Sequence, residues 1–130
     1  MKYEILYLLI AQRDITRISD TLSAHPARAR RLFGEIESKL KLLKFMPHMW
    51  PPFDPRPEFR KMDLEDHVLF YIVDESRRQV KVYRVLYHNK AGADEQASIG
   101  RIQGSPNLRV VDIETAKSAL GHELAEAADD

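Results

Sequence analysis

Hydrophobic residues are densest between His67 and Tyr87, where two apolar runs flank a short polar segment. The first run, 68–73, and the second, 80–87, are rich in β-branched and aromatic residues, which pack well on a pleated sheet. The polar connection over 74–79 is too short for a parallel return, so the two runs are predicted to form an antiparallel hairpin. The first run is apolar on both faces, which is typical of a central strand covered on both sides.

The second run alternates along its length, as a strand with two different faces does. A regular strand points successive side chains to opposite faces of its sheet. The pattern therefore predicts one face formed by Val80, Val82, Arg84 and Leu86, and an opposite face formed by Lys81, Tyr83, Val85 and Tyr87.

Helical periodicity precedes this hairpin. Apolar residues from Ala11 to Leu22 recur at spacings of four, three and four, which predicts a first amphipathic helix. A second helix is predicted from Pro26, a residue suited to a first helical position, to about Lys44. Its predicted core face consists of Ala29, Leu32, Phe33, Ile36, Leu40 and Leu43. The linker 23–25 is so short that the two helices are expected to form an antiparallel hairpin.

The remaining body completes an α+β pattern. Residues 1–10 read as a first strand, and 59–63 as a short strand before the central hairpin. The segment 46–58 holds five of the seven prolines and is predicted to be an irregular loop. We therefore expect an antiparallel sheet of about four strands, with the N-terminal helical hairpin packed on one face.

The C-terminal part differs from this body in charge and in pattern. Residues 1–91 carry 17 Lys and Arg against 12 Asp and Glu, whereas residues 92–130 carry 3 against 8. A basic body suits an anionic partner, and an acidic tail is either solvated or lies on the basic surface. We expect a domain over 1–91 and an acidic extension over 92–130, with a small strand at 108–111 and a short helix over 114–127.

Several kinds of site are excluded or disfavoured by composition. The chain has no cysteine, which excludes disulfides, thiol catalysis and cysteine-ligated metals. His25, His48 and His122 lack metal-ligand spacing, and there is no glycine-rich phosphate loop, so neither a metal nor a cofactor is expected. The apolar N-terminus contains Glu4 and is too short to span a bilayer, so no membrane association and a cytoplasmic location are expected.

Four segments carry a resemblance to a known family. They are AQRDI with Ile18 in the first helix, PARA at the start of the second, LKLL followed by Pro47, and HVLFYIVD followed by VKVYRVLYH. In this order they resemble the RelE/ParE superfamily, toxins of bacterial type II toxin–antitoxin modules often described as plasmid stabilisation proteins. The resemblance covers about residues 1–91.

The resemblance implies a cytosolic toxin held in check by a cognate antitoxin that wraps the body. RelE-like members cleave mRNA on the ribosome, and ParE-like members poison DNA gyrase, so fold alone does not choose. RelE-type members carry an arginine at the start of the central strand, where this chain has His67 and Val68. That departure leaves an alternative open: a catalytically inactive binding or regulatory module, self-inhibited by its acidic tail 112–130.

Metal-free RNA cleavage needs a base, an acid and positive charge near the phosphate. The candidates are Tyr87 and His88 at the end of the last strand, Lys61 on the preceding short strand, and His67 in place of the absent arginine. Arg60 and Lys61 are neighbours on a strand and cannot both face one site, so Lys61 is preferred as the catalytic cation.

Basic residues outside this set are candidates for contact with nucleic acid or a protein partner. They are Arg28, Arg31 and Lys39 of the second helix, with Arg60, Arg84 and Lys90 of the strands and the segment after them. The apolar residues Met46, Met49, Trp50 and Phe53 of the proline-rich loop are expected to fold over the sheet, in preference to forming an exposed recognition patch.

Overall fold

The computed structural model describes residues 2–87 and the backbone of residues 110–112. Two helices and six strands follow one another along these residues. They are β1 (Glu4–Leu8), α1 (Leu9–Thr21), α2 (Pro26–Leu43), β2 (Pro52–Phe53), β3 (Arg56–Asp63), β4 (His67–Asp74), β5 (Gln79–Tyr87) and β6 (Val110–Asp112). This is the predicted α+β class, and both helices and the central hairpin lie where the periodicity places them.

The strands form one sheet in the order β2-β3-β4-β5-β1-β6. Strands β2 to β5 pair antiparallel with their neighbours, as predicted. In contrast, β1 lies parallel to β5. Parallel strands need a long crossover connection, and the chain between β1 and β5, which includes the helical hairpin, is long enough to provide it. The short strand expected at 108–111 is present as β6, which pairs antiparallel with the outer edge of β1.

Helix α2 shows how directly the sequence dictates burial. Pro26 occupies its first turn, and its buried residues are the six predicted from the apolar spacing. Helix α1 buries Ala11 and Ile15 as predicted, and it buries Asp14 as well. Both helices cover the same face of the sheet, because their apolar residues join one cluster with Leu69 and Tyr71 of β4.

The core has two parts, one on each face of the sheet. The helix-side cluster lies between the helices and the sheet, and the outer cluster consists of Phe53, Phe59, Val68 and Phe70. Alternate residues of β4 enter the two clusters, and five successive residues of the strand are buried. The prediction of a central strand covered on both faces is confirmed.

The proline-rich segment is more regular than its composition predicts. It contains β2 and the beginning of β3, so the prediction of an irregular loop throughout 46–58 is wrong in its second half. Proline is tolerated because Pro52 lies in a two-residue edge strand and Pro57 precedes the residues of β3 that pair with β4. The first half is anchored by Tyr71, whose hydroxyl donates to the Pro47 carbonyl at 2.8 Å.

The apolar residues of that segment divide between core and surface. Trp50 packs against the helix-side cluster and Phe53 is buried in the outer cluster, as expected of a loop folded over the sheet. Met46 and Met49 are instead exposed, so the expectation is wrong for these two residues.

A β-bulge changes the faces of β5. Phe70 pairs with Arg84 and Tyr71 with Val82, so Tyr83 has no partner of its own on β4. An extra residue shifts the alternation of the strand beyond it. Val80, Val82 and Val85 therefore enter the helix-side cluster, and Tyr83 and Leu86 the outer one. The predicted grouping of Leu86 with Val80, and of Val85 with Tyr83, is wrong for this reason. Arg84 keeps its predicted face, because its side chain reaches Asp14 of α1 on the helix side.

Three predictions lie outside the described residues: the helix over 114–127, His88 and Lys90. Within the described part of the chain, neither helix is long and apolar enough to cross a membrane.

Candidate functional site

A groove of about 470 Å³ opens between α1, the start of α2, the start of β4 and the end of β5. Its walls are mainly apolar and come from Ile18, Leu22, Val85, Leu86 and Tyr87. Its basic residues are Arg17, His25, Arg28 and His67. We call this cavity the α1–β5 groove. A concave apolar surface with a few polar groups is the usual form of a binding site.

His67 and Tyr87 meet in this groove because β4 begins where β5 ends. The two residues are cross-strand partners, and their ring centroids are 5.5 Å apart at an interplanar angle of 59°. His67 is buried, whereas Tyr87 is about half exposed. The chain therefore presents an aromatic surface beside an imidazole at one end of the sheet.

The imidazole of His67 has an unfilled hydrogen-bonding position. Its Nδ1 atom is buried and has no hydrogen-bond partner among the described residues. Burial lowers the pKa of His67, the nearby Arg28 lowers it further, and Asp66 opposes the shift. The ring is therefore mainly neutral at pH 7, and it does not reproduce the permanent positive charge of an arginine at this position.

Arg17 and Arg28, which line the groove, each form an ion pair within the chain. Arg28 Nη2 lies 3.5 Å from Asp66 Oδ2, with both side chains close to half exposed. Arg17 Nη2 donates to Asp14 Oδ1 at 3.1 Å, and the Arg17 side chain remains mostly exposed. The exposed Arg28–Asp66 pair contributes little stability. Arg17 bonds a buried carboxylate, but its own side chain is mostly exposed, so both guanidinium groups are accessible to an anionic ligand.

A buried ion pair lies behind the groove. Arg84 donates from Nε to Asp14 Oδ2 at 2.7 Å and from Nη2 to Asp14 Oδ1 at 2.9 Å. Asp14 Oδ2 also accepts the Val85 backbone N–H at 3.1 Å, next to the bulge. Arg84 was expected among the binding residues; the structure buries its guanidinium against α1, where it joins helix to sheet.

The other predicted cations lie away from the groove. Lys61 pairs with Phe70 on β4, and its Nζ lies 5.8 Å from the Phe53 ring centroid, on the outer face. Arg60 lies on the helix side and donates to the Trp50 carbonyl at 2.7 Å. The structure thus brings His67 and Tyr87 together but places Lys61 on the opposite face of the sheet.

The two remaining cations of α2 make intramolecular contacts. Arg31 pairs with Glu65 at 3.2 Å, and both side chains are exposed. Lys39 Nζ donates to Glu35 at 2.8 Å and to the Asp63 carbonyl at 2.9 Å, and it lies 5.1 Å from the Trp50 ring centroid. Arg31 is therefore accessible to a partner, whereas Lys39 is largely occupied in joining α2 to β3.

The sequence prediction missed both the apolar groove and the Asp14–Arg84 pair. A signal for the pair was present, because Asp14 lies between Ala11 and Ile18 on the apolar side of α1. A carboxylate on a buried face requires a buried cation. The groove had no such signal, since its walls come from elements distant in sequence. No group of three or more potential metal ligands occurs among the described residues.

The helical hairpin, the five-stranded core of the sheet and the groove at its end define a protein of the RelE/ParE-like α+β class. Residues 5–92 match the sequence model of the family described as ParE toxin of type II toxin-antitoxin system, parDE. The chain therefore belongs to the ParE toxin family, and membership implies a cognate antitoxin as partner. A search of curated proteins gives no match.

Proposed function

We propose that this protein inhibits bacterial growth by acting on DNA gyrase, and that its antitoxin neutralises it by binding in the α1–β5 groove. One observation supports DNA gyrase over mRNA as the target. The groups that the sequence predicts for metal-free RNA cleavage are divided, with His67 and Tyr87 at the groove and Lys61 on the outer face. A general base and the cation that stabilises the phosphate must reach the same reacting atoms.

The matched family supports the same choice, since its model is that of the ParE toxins. Inhibition of gyrase requires a surface that binds a protein or a protein–DNA complex and does not require an assembled hydrolytic site. The accessible basic groups Arg17, Arg28 and Arg31 suit such a surface, because DNA and acidic protein segments are both anionic.

The groove suits an amphipathic segment of an antitoxin. Its volume is about 470 Å³, within the range of ordinary ligand sites, and its walls are largely apolar. Arg17 and Arg28 flank it, so carboxylates beside those apolar residues would be stabilised. Helical segments commonly bind grooves in this way, with anchors spaced three or four residues apart.

The second candidate function is ribosome-dependent mRNA cleavage. It is favoured by the contact of His67 with Tyr87, whose ring centroids are 5.5 Å apart. His88 follows Tyr87 in the sequence. A neutral imidazole next to a phenol supplies a base and a hydrogen-bond donor. In that function the positive charge would come from Arg17 or Arg28 of the groove and not from Lys61.

The groove assignment is tested with Arg28→Glu and its matched control Arg30→Glu. Both residues are exposed cations of α2, but only Arg28 lines the groove. An antitoxin is first obtained by selecting genomic fragments that restore growth to cells expressing the chain. We expect Arg28→Glu to weaken its binding by about tenfold or more, and Arg30→Glu to change it little. Equal effects of the two substitutions would contradict the assignment.

The target is tested with purified components. The full chain is added to DNA gyrase and relaxed plasmid, and separately to translating ribosomes with a labelled mRNA. We expect loss of supercoiling or trapped DNA cleavage in the first mixture and intact mRNA in the second. Cleaved mRNA with unaffected gyrase would establish the second candidate, and no effect in either mixture would favour an inactive binding module.

A further inference from the structure

Four large apolar side chains are exposed where α2 ends and the next loop begins. Leu42, Phe45, Met46 and Met49 are exposed by 43%, 66%, 50% and 43%. We call them the α2-end patch. Single exposed apolar residues need no explanation, but a cluster of four within eight positions marks a surface that something covers.

The direction of β6 leads the chain toward this patch. Val110 pairs with Leu8 and Asp112 with Leu6, so β6 runs antiparallel to β1 and ends on the side of Tyr3. The Tyr3 backbone N–H donates to the carbonyl of Lys44 at 2.8 Å, and Lys44 immediately precedes Phe45. Asp112, after which segment 113–130 follows in sequence, therefore lies at the end of β1 that adjoins the α2-end patch.

The loop part of the patch is held at the same end of the molecule. Glu75, in the turn between β4 and β5, accepts a hydrogen bond from the Tyr3 hydroxyl at 2.7 Å and pairs with His48. His48 lies between Met46 and Met49, so these methionines are fixed close to the start of β1.

The segment 113–130 combines regularly spaced apolar residues with a negative net charge, which would complement an apolar patch bordered by lysines. Ala116, Leu120, Leu124 and Ala127 recur at spacings of three and four, as on one face of a helix. Its eighteen residues include five acidic residues and one lysine, a net charge of −4. As a helix it would extend about 27 Å, enough to cross the patch.

The charges around the patch are mixed, with cations available at its border. Lys2 and Lys41 are exposed and Lys44 is partly exposed, and Lys41 is only loosely paired with Glu37 at 3.7 Å. Glu75 is the nearby carboxylate, but the Tyr3 hydroxyl and His48 already engage it. An acidic segment would meet Lys2, Lys41 and Lys44 at the edge of the apolar residues.

We propose that segment 113–130 binds the α2-end patch through its Ala116, Leu120 and Leu124 face, with β6 as the tether that positions it. The extension then covers both the outer edge of β1 and the apolar end of α2. This places the acidic tail at the end of α2 opposite to the α1–β5 groove, so the groove stays open to an antitoxin. The proposal is independent of which target the toxin acts on.

The test uses a spin label, which the cysteine-free chain makes simple. Ser118→Cys is labelled with a nitroxide in the otherwise full chain, produced by cell-free synthesis, and amide signals are compared before and after reduction of the label. Ser118 lies away from the proposed binding face. We expect loss of signal intensity at residues 42–49 and none at residues 17–28 of the groove.

A pair of matched variants separates binding from mere proximity. Phe45→Glu adds one negative charge within the patch, and Gly34→Glu adds the same charge elsewhere on α2, in open space. We expect Phe45→Glu to reduce the broadening at 42–49 markedly and Gly34→Glu to preserve it. Broadening that is strongest at the groove, that is absent from 42–49, or that is unchanged by Phe45→Glu would overturn the proposal.

Discussion

At the residue scale, the Asp14–Arg84 pair joins helix α1 to the bulge of β5. Bulges interrupt the hydrogen-bond ladder, and here Asp14 Oδ2 takes up the Val85 N–H that follows the interruption. The same carboxylate receives two hydrogen bonds from Arg84, so its charge is compensated although it is fully buried. The pair also supports Arg17 and Val85, which line the groove.

Removing one partner of this pair should be strongly destabilising. Asp14→Ala leaves the buried Arg84 without its counter-ion, and we expect a loss of about 3–5 kcal/mol in the free energy of unfolding. Asp20→Ala, an exposed carboxylate of the same helix, should change it by less than about 0.5 kcal/mol. Urea unfolding followed by circular dichroism measures both, and a loss below about 1 kcal/mol for Asp14→Ala would contradict the assigned role.

The other residue-scale prediction concerns His67. Burial lowers its folded-state pKa, so between that pKa and the unfolded value of about 6.5 the unfolded chain binds more protons. Stability should therefore decrease as the pH falls below about 6.5, and His67→Gln should remove part of this dependence. An NMR titration of the His67 ring checks the cause directly. A pKa at or above the ordinary histidine value would rule this explanation out.

At the element scale, Gly34 of α2 is a position where helix propensity can be changed without changing a packing contact. Gly34 lies in the middle of the helix, is exposed, and a Cβ atom added there would meet nothing within 4 Å. Gly34→Ala should stabilise the protein by about 1 kcal/mol, because alanine loses less backbone entropy in a helix. The midpoint of urea unfolding should rise, and an unchanged or lower midpoint would contradict this explanation.

The elements differ in how far their sequences predict them. The spacing in α2 predicts its bounds and all six buried residues, because a helix that covers a sheet must place its apolar residues on one face. The faces of β5 were predicted correctly only as far as Arg84, since nothing in the local sequence marks the bulge that moves Val85 and Leu86 to the opposite faces. The parallel pairing of β1 with β5 was also missed, because it depends on how the whole helical hairpin crosses the sheet.

The candidate site was predictable only in part, for the same reason. His67 and Tyr87 come close because the short connection of the hairpin brings the start of β4 beside the end of β5, and the unpredicted bulge makes them direct partners. Lys61 was placed with them because it occupies a neighbouring strand, yet its parity within β3 points it to the outer face. The groove walls combine α1 with β5, and their approach is a tertiary contact with no local sequence signature.

At the scale of the whole molecule, the two ends of α2 offer different surfaces. The first end borders a groove with basic residues, and the second carries exposed apolar residues beside the sheet edge that β6 covers. Residues 1–91 carry a net charge of +5, and residues 92–130 carry a net charge of −5. This division favours a body that binds anionic partners while its own extension shields the apolar end.

The most direct test of the central claim is induction of the full chain in bacterial cells, with His88→Ala as the companion variant. Growth, translation of a labelled reporter and plasmid supercoiling are followed in the same cultures. We predict arrested growth with altered supercoiling and intact reporter mRNA, unchanged by His88→Ala. Rapid loss of the mRNA with normal supercoiling, relieved by His88→Ala, would contradict action on gyrase and identify the protein as an mRNA-cleaving toxin.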